Sequence, residues 1–576
     1  MTANGHMSDS PKQGKQYPGW MVVLVVLIIA SAHTQLTMRH LALWLANVRY
    51  GAIAKEDVAA TPDGTGTICR DPYAVFKPHE LQGKKLWIGD QFYPITDNTP
   101  TEIHLDAAHV DVTAAFAEKD RHRSYLTGFT EKTVVIRAAL ACPSINFTPS
   151  DCLLGLSFGL LFLYSVIKRQ RPARMLPPMC LAVFLLVCVL SLFDWARILD
   201  GSGMSAERNA GIKELIQYVE VWLLGYLFFV EVLRDRRIRR AAVVTLVVAG
   251  GVTIVVGLWE YTWVVRGATQ RLLADIGEVD ALFGIRFNPS RSTSAGSESS
   301  RNVLAGYLMI FLPLLVALLP AARSRRFRVV LCIISCLGIS CLLHGAMLVA
   351  AVGGCLLVTL NWKKTFAVPA TIGLVFLIIL LTCIISRRHG TILIDSVALN
   401  RTQDTYGLQP MPMKGQGVES VKAWEPWQQK YLELQAALNA VSFSPLFGYG
   451  LGMYQRRINL FFTSSKHTPL TGVIKKPKNF MERDSHSVFA VQAVETGLIG
   501  VACLLWLLVW IMQQALRVRR RADDPFDRAL LLGVAGSVMA ILIGGWFTSV
   551  MVRGLQLVVI ALAALPAAVA AEEKGE

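Results

Sequence analysis

The sequence is short of charge. Asp, Glu, Lys and Arg make up 17% of its 576 residues, while 53% are hydrophobic. Soluble domains usually carry about 25% charged residues, so the deficit argues for contact with lipid. Familiar catalytic signatures are missing as well. There is no P-loop, no HExxH pair and no CxxC spacing for zinc, which leaves no sequence basis for a nucleotide, a metal or another cofactor. The start of the chain lacks a convincing small-residue cleavage site. Lys12 and Lys15 precede an apolar run from Trp20 to Ala32, but the run continues into His33, Thr34 and Gln35. We read it as a retained first helix.

What the chain does have is long apolar blocks. A helix needs about 20 such residues to cross a hydrocarbon core. Spans are expected at residues 18–37, 151–167, 175–196, 215–233, 241–263, 302–321, 329–343, 345–360, 366–386, 488–513, 529–550 and 553–571. Backbone groups in lipid must bond internally, so the expected fold is an all-α polytopic membrane bundle of about twelve transmembrane helices. The short pair at 329–343 and 345–360 also suits a broken or re-entrant unit.

Orientation follows from the cations, because basic short loops stay in the cytoplasm. With the N-terminus inside, the cytoplasmic loops fall at 168–174, 234–240, 323–328, 363–364 and 517–528, and each is a basic cluster. The net charge of +16 is then mostly topological, and the pattern argues against nucleic acid as a partner. Residues 1–38 hold a cytoplasmic N-terminus and the first span. Both termini are expected in the cytoplasm.

Two polar segments interrupt the bundle. Residues 39–150 contain short apolar stretches, Lys85-Leu86-Trp87-Ile88 and Val134-Val135-Ile136-Arg137, with turn residues at Gly89-Asp90 and Thr61-Pro62-Asp63-Gly64. Such runs bounded by turns suggest strands, hence a small β-rich external insert. Cys69 and Cys142 lie within it, and an oxidising compartment would pair them; two separate thiols are the alternative. Residues 151–386 form the middle spans.

The second segment, 387–487, is rich in cations, including Arg387, Arg388, Arg401, Lys430 and Arg483. Solvated faces and anionic membrane lipids both suit this charge, and so does an anionic ligand. Within it, YLELQAALNAVSF is helical in pattern, Pro445 ends the helix, and Gly448, Gly450 and Gly452 open a tight turn. Then Asp484-Ser485-His486-Ser487 leads into VFAVQAVETGLIG, where residues 488–576 begin the last three spans and the C-terminus. His486 stands at the mouth of that helix, and Glu495 is expensive to bury there without a role. In one continuous helix the two would be about half a turn out of phase.

The helix ending in AAL, then PLFGYGLGMY, then HSVFAVQAVETGLIG, resembles the O-antigen ligase and O-antigen polymerase superfamily. SESSRNVLAGYLMIFLPLL, starting at Ser297, is similar to that family's entry to a mid-chain span, and the resemblance covers roughly residues 210–560. It implies a large periplasmic loop in the bacterial inner membrane. It also implies metal-free transfer of a glycan from an undecaprenyl-diphosphate carrier to an acceptor hydroxyl on a glycan, lipid A-core or protein. Polymerase chemistry is the alternative within the class, and a non-enzymatic lipid-linked-sugar transporter the alternative outside it.

The implied roles are a base and an anion site. His486 matches the family histidine at the end of the large loop. Arg301 and Asn302 stand at a helix start, where free amides favour phosphate; an ordinary capped helix with a snorkelling arginine fits the same residues. Arg286 and Arg291 are nearby. The family's Ser-Arg-Gly is replaced here by Leu342-Leu343-His344-Gly345, and Lys430 stands where an arginine is usual. Lysine offers a point charge without the bidentate fork. Arg387, Arg388, Arg401 and Arg483 are further phosphate candidates.

Topology is directly testable. A reporter fused after Lys364 or after Arg521 is expected in the cytoplasm, and one inserted near Thr471 outside. An outward-facing Arg521 fusion would overturn the orientation.

Overall fold

The computed structural model of the chain describes residues 16–33, 49–54, 58–61, 66–70, 76–88, 91–105, 122–129, 149–168, 177–194, 204–265, 297–322, 324–341, 345–362, 426–458, 460–463, 470, 487–548 and 555–574. Most of them are helical. The apolar runs form α1 (Gly19–Ala32), α2 (Pro149–Ile167), α3 (Met179–Asp194) and α4 (Met204–Tyr218), which runs through a π-helical stretch, Val219–Gly225, into α5 (Tyr226–Val232). There follow α6 (Arg236–Val265), α7 (Ser297–Leu318), α8 (Arg325–Cys341) and α9 (Gly345–Leu360). Next come α10 (Pro426–Phe443), the short α11 (Tyr454–Arg457) and α12 (Leu460–Thr463), then α13 (Val488–Arg519), α14 (Pro525–Gly544) and α15 (Leu555–Lys574).

Six helical stretches among the described residues are long and apolar enough to cross a membrane: Pro149–Ile167, Gly211–Val232, Arg236–Val255, Val488–Arg519, Pro525–Gly544 and Leu555–Glu572. Four shorter apolar helices join them. The pair expected at 329–343 and 345–360 is two separate helices, α8 and α9. The expected span at 366–386 lies outside the described residues.

Lipid tails are as apolar as leucine, so helices in a bilayer associate by close packing and polar contacts. The centre of this bundle shows both. A side chain on Gly354 of α9 would come within 2.4 Å of the Gly536 carbonyl of α14 and 2.7 Å of Pro313 of α7. Glycine lets the three helices touch. Ser537 on α14 donates across to the Ile310 carbonyl of α7 at 2.6 Å.

One end of the bundle is tied by ions. Arg239, fully buried, donates to both oxygens of Asp527 at 2.9 and 2.7 Å, to Glu572 at 2.8 Å and to the Leu233 carbonyl at 2.8 Å. Arg236 and Arg240 reach Asp524. The Tyr17 amide donates to Asp235 at 3.0 Å and its hydroxyl to Glu231, while Arg237 donates to the Tyr17 carbonyl at 3.0 Å. Burial alone would raise the Asp235 carboxyl, but hydrogen bonds from Arg237 and Tyr17 outweigh it and hold it below the usual range. The entry to α1, the α5–α6 link, the start of α14 and the end of α15 therefore share one end. The arginines at 234–240 are more than the topological signal their sequence suggests, because Arg239 is part of the protein interior.

The insert holds a seven-stranded antiparallel sheet. Its strands are β1 (Arg49–Ala54), β2 (Val58–Ala60), β3 (Thr67–Arg70), β4 (Lys85–Ile88), β5 (Gln91–Asn98), β6 (Glu102–Leu105) and β7 (His122–Phe129), in the order β1-β7-β4-β5-β6-β3-β2. The strand expected at Lys85–Ile88 is present, and the Thr61 amide donates to the Gly66 carbonyl at 2.9 Å; residues 62–64 of the turn expected there lie outside the described residues. The run at Val134 lies outside the described residues.

The connectivity forces this sheet to curl. β1 and β2 are its two edges, yet only residues 55–57 separate them in the chain. Four Cα steps span at most about 15 Å, whereas six strand spacings of a flat sheet cover roughly 29 Å. The two edges must therefore approach, as in a barrel. The opposite corner is β5, whose first half pairs with β4 and second half with β6, with a register shift between Ile95 and Asp97. A strand that changes sheets at a bulge makes such a corner. Cys69 is fully buried in the core against Leu86, Tyr93 and Ile103, as a free thiol that burial pushes up to about 12. Cys142, its expected partner, lies outside the described residues.

The ionic end yields a stability prediction. Arg239→Ala leaves two carboxylates facing an uncharged gap and should cost about 3–5 kcal/mol, read as a fall in the thermal midpoint of the purified protein. Arg240→Ala removes a half-exposed pair and should cost under about 1 kcal/mol. Equal losses would show that Arg239 is no more than a surface charge.

Candidate functional site

At the other end of the bundle, α13 is not a continuous helix. Gly497 has φ 71° and ψ −174°, a conformation that is nearly restricted to glycine. The break frees the Val494 and Glu495 carbonyls, which would otherwise accept from the following turn. They accept instead from the amides of Tyr449 and Gly450, both at 2.8 Å. The Leu498 amide, orphaned by the same break, donates to the Pro445 carbonyl at 2.8 Å. The segment after α10 thus docks main chain to main chain into a gap in an apolar helix. Contact is close: a side chain on Gly497 would meet the Leu446 carbonyl oxygen at 2.2 Å.

The residues of the loop follow from that fit. Pro445 ends α10 and presents only a carbonyl. Gly448, at φ 67°, has no room for a side chain, since one would lie 2.5 Å from the Val494 carbonyl oxygen. Ser444 donates to the Gly448 carbonyl at 2.7 Å, closing the turn. The carboxylate of Glu495 accepts from the Tyr454 amide at 3.2 Å and from the backbone of Gly452. Glu495 is buried because it holds this loop. Asn439 on α10 secures the next stretch, donating to the Phe461 carbonyl at 3.2 Å and accepting from the Leu470 amide at 3.3 Å.

A polar chain lies beneath. The Tyr218 hydroxyl of α4 stands 3.5 Å from Gln492, whose amide donates to Thr496 at 2.7 Å. Tyr218 stacks on Trp222 with ring centroids 6.5 Å apart. Glu214, on the same helix, is close enough to Glu495 for the two carboxylates to repel. The arrangement joins α4, α13 and the loop.

His486 lies outside the described residues, but its neighbour is well fixed. Ser487 is the N-cap of α13: its hydroxyl accepts from the Ala490 amide at 3.2 Å and donates to the Gly545 carbonyl at 3.3 Å. The Val488 amide also reaches Gly545, at 2.9 Å. Because Ser487 is extended (φ −137°, ψ 118°), the helix begins after it. The half-turn phase expected between His486 and Glu495 therefore does not apply, since His486 precedes the helix. Arg301 and Asn302 fall in the first turns of α7, and Lys430 in the first turn or so of α10. Arg286, Arg291, His344, Arg387, Arg388, Arg401 and Arg483 lie outside the described residues. Among the described residues no group of His, Cys, Asp and Glu is arranged to hold a metal.

Of the sequence candidates, then, only Glu495 is placed with its side-chain partners. Gln492, Thr496, Tyr218 and Asn439 were not singled out from sequence. The available signal was Gly497, a glycine inside an otherwise helical apolar run. No protein-family model matches this chain, and no curated protein matches it in sequence.

The docked loop predicts a sharp effect at one glycine. Gly497→Ala imposes a backbone penalty of about 1–3 kcal/mol and a clash with Leu446. Hydrogen exchange at Tyr449, Gly450 and Leu498 should accelerate by about ten-fold or more, the factor that 1.4 kcal/mol represents. Gly159→Ala, where nothing lies within 4 Å of the added atom, is the control and should leave all three unchanged.

Proposed function

We propose that the protein is a membrane glycosyltransferase of the O-antigen ligase type. It moves a glycan from an undecaprenyl-diphosphate carrier to an acceptor hydroxyl at the periplasmic face of a bacterial inner membrane. The observation that carries this reading is the glycine loop docked into the broken helix that Ser487 caps. The resemblance of these same segments to the ligase and polymerase superfamily supplies the reaction. In it, a base takes the proton of the acceptor hydroxyl, the oxygen attacks the anomeric carbon, and the bond to the diphosphate breaks. The carrier leaves as undecaprenyl diphosphate.

His486 is assigned as the base, since a histidine titrating near neutrality suits the task. The diphosphate falls to the cations of the large loop, Arg387, Arg388, Arg401, Lys430 and Arg483, with Arg301 and Asn302 at the start of α7. Arginine meets phosphate through charge-assisted, often bidentate bonds. Glu495 positions the loop through Tyr454 and Gly452 and touches no reacting atom.

The proposal includes twelve crossings with both termini cytoplasmic. Supporting it, Arg519 at the end of α13 donates to the Asn361 carbonyl just after α9, at 2.6 Å. Ser487 opens the other end of α13, and 32 helical residues rise about 48 Å. Asn361 and Ser487 therefore lie toward opposite ends of α13, and 366–386 is the apolar run in the sequence between them that is long enough for a crossing. Against a transporter, the buried ion pairs of Arg234 and Arg239 lie together at one end of the bundle.

Single-turnover transfer from a defined lipid-diphosphate glycan, with donor binding measured separately, tests the assignment. His486→Ala should lower the transfer rate by about two to four powers of ten with expression and binding nearly intact. Arg301→Ala should weaken binding as well as turnover. Normal turnover by His486→Ala would withdraw the histidine, and no transfer by the unaltered protein to any acceptor would withdraw the enzyme.

A further inference from the structure

Helix α10 carries leucine where a helix in a water-bathed loop would carry polar residues. Its inner face is Glu433, Ala436, Ala437 and Ala440, all buried. Outward stand Leu434 and Leu438, 43% and 49% exposed, one turn apart on one stripe. Lys430 occupies the same row one turn earlier.

The stripe leads toward the lipid-facing side of α13. Three residues beyond α10, Leu446 is 58% exposed beside the break, where the Leu498 amide meets the Pro445 carbonyl. Leu498 is itself 54% exposed and heads a row of exposed positions continuing through Ala502 and Trp506. In a helix this long and apolar, such a row faces hydrocarbon.

Depth supports the same placement. Counted back from Arg517 at the basic end of α13, about 20 helical residues rise roughly 30 Å, the thickness of a hydrocarbon core, and reach Gly497. The loop therefore joins α13 at the outer margin of the hydrocarbon, and the end of α10 is carried there with it. An apolar stripe at that level has acyl chains as its natural neighbour.

We infer that α10 lies within the membrane leaflet into which the N-terminal end of α13 opens. Its Leu434 and Leu438 stripe, with Leu446, is immersed in lipid hydrocarbon. The placement is independent of the reaction proposed above.

The test uses the full chain in vesicles of phosphatidylethanolamine and phosphatidylglycerol containing a phospholipid with a diazirine on its acyl chain. After photolysis, peptide mapping locates the carbene adducts, and a parallel sample is oxidised with hydroxyl radicals. Adducts on Leu434, Leu438 and Leu446 at the level found on Leu498, with little oxidation there, are expected. Oxidation without adducts would make the stripe a water-facing surface. Neither label would mean that protein covers it, as in a second copy of the chain. Either result overturns the inference.

Discussion

A backbone amide surrounded by hydrocarbon has no partner except another protein group, and the break in α13 is where this constraint acts most strongly. Interrupting a helix frees donors and acceptors that water cannot satisfy, so irregular backbone at membrane depth survives only when buried in protein. Here the demand is met by one segment. Tyr449 and Gly450 supply the donors, Pro445 supplies the acceptor, and each bond is 2.8 Å long. The composition of PLFGYGLGMY follows from this task, because any side chain at Gly448 would strike the helix it serves. The side chain of Glu495 adds an acceptor for the Tyr454 amide of the same loop.

The two ends of the bundle are held by different chemistry. Near Arg239 the bonds are ionic: one guanidinium serves two carboxylates and a carbonyl. A buried charge is tolerable when paired in this way and costly when a partner is lost. That end ties α6 to the start of α14 and the end of α15, while Tyr17 ties in the start of α1. Near Ser487 the bonds are backbone and hydroxyl bonds, weaker one by one and directional. The ionic end suits a rigid base.

Much of the architecture was legible in the apolar blocks, because lipid requires helices of predictable length and little charge. The insert was legible as strands for a related reason, since Lys85–Ile88 is bounded by turn residues. Its curling was not, because that depends on β1 and β2 becoming opposite edges, a property of pairing and not of local pattern. The role of Arg239 was hidden among four neighbouring arginines of the same short segment, and only packing separates it from them. In the site, His486 and Glu495 stood out by their chemistry, but their relation depended on where the helix begins. Ser487 decides that, and a periodicity argument that runs the helix through it passes over the cap.

The stretch from Ser487 to Glu495 combines these constraints into a support for chemistry. Its upper end is fixed twice, by the cap to Ala490 and by the bonds to Gly545 of α14. Its lower end is fixed by the docked loop, which α10 holds in turn through Asn439 and its alanine face. A short helical rod tied at both ends keeps its position, and groups built on such rigid elements are held more closely than groups on free loops. In the proposed reaction the general base is the residue before this cap, where misplacement by about 1 Å can cost two powers of ten in rate. The break that first looks like a defect in α13 is therefore what gives the mouth of the helix its lower support.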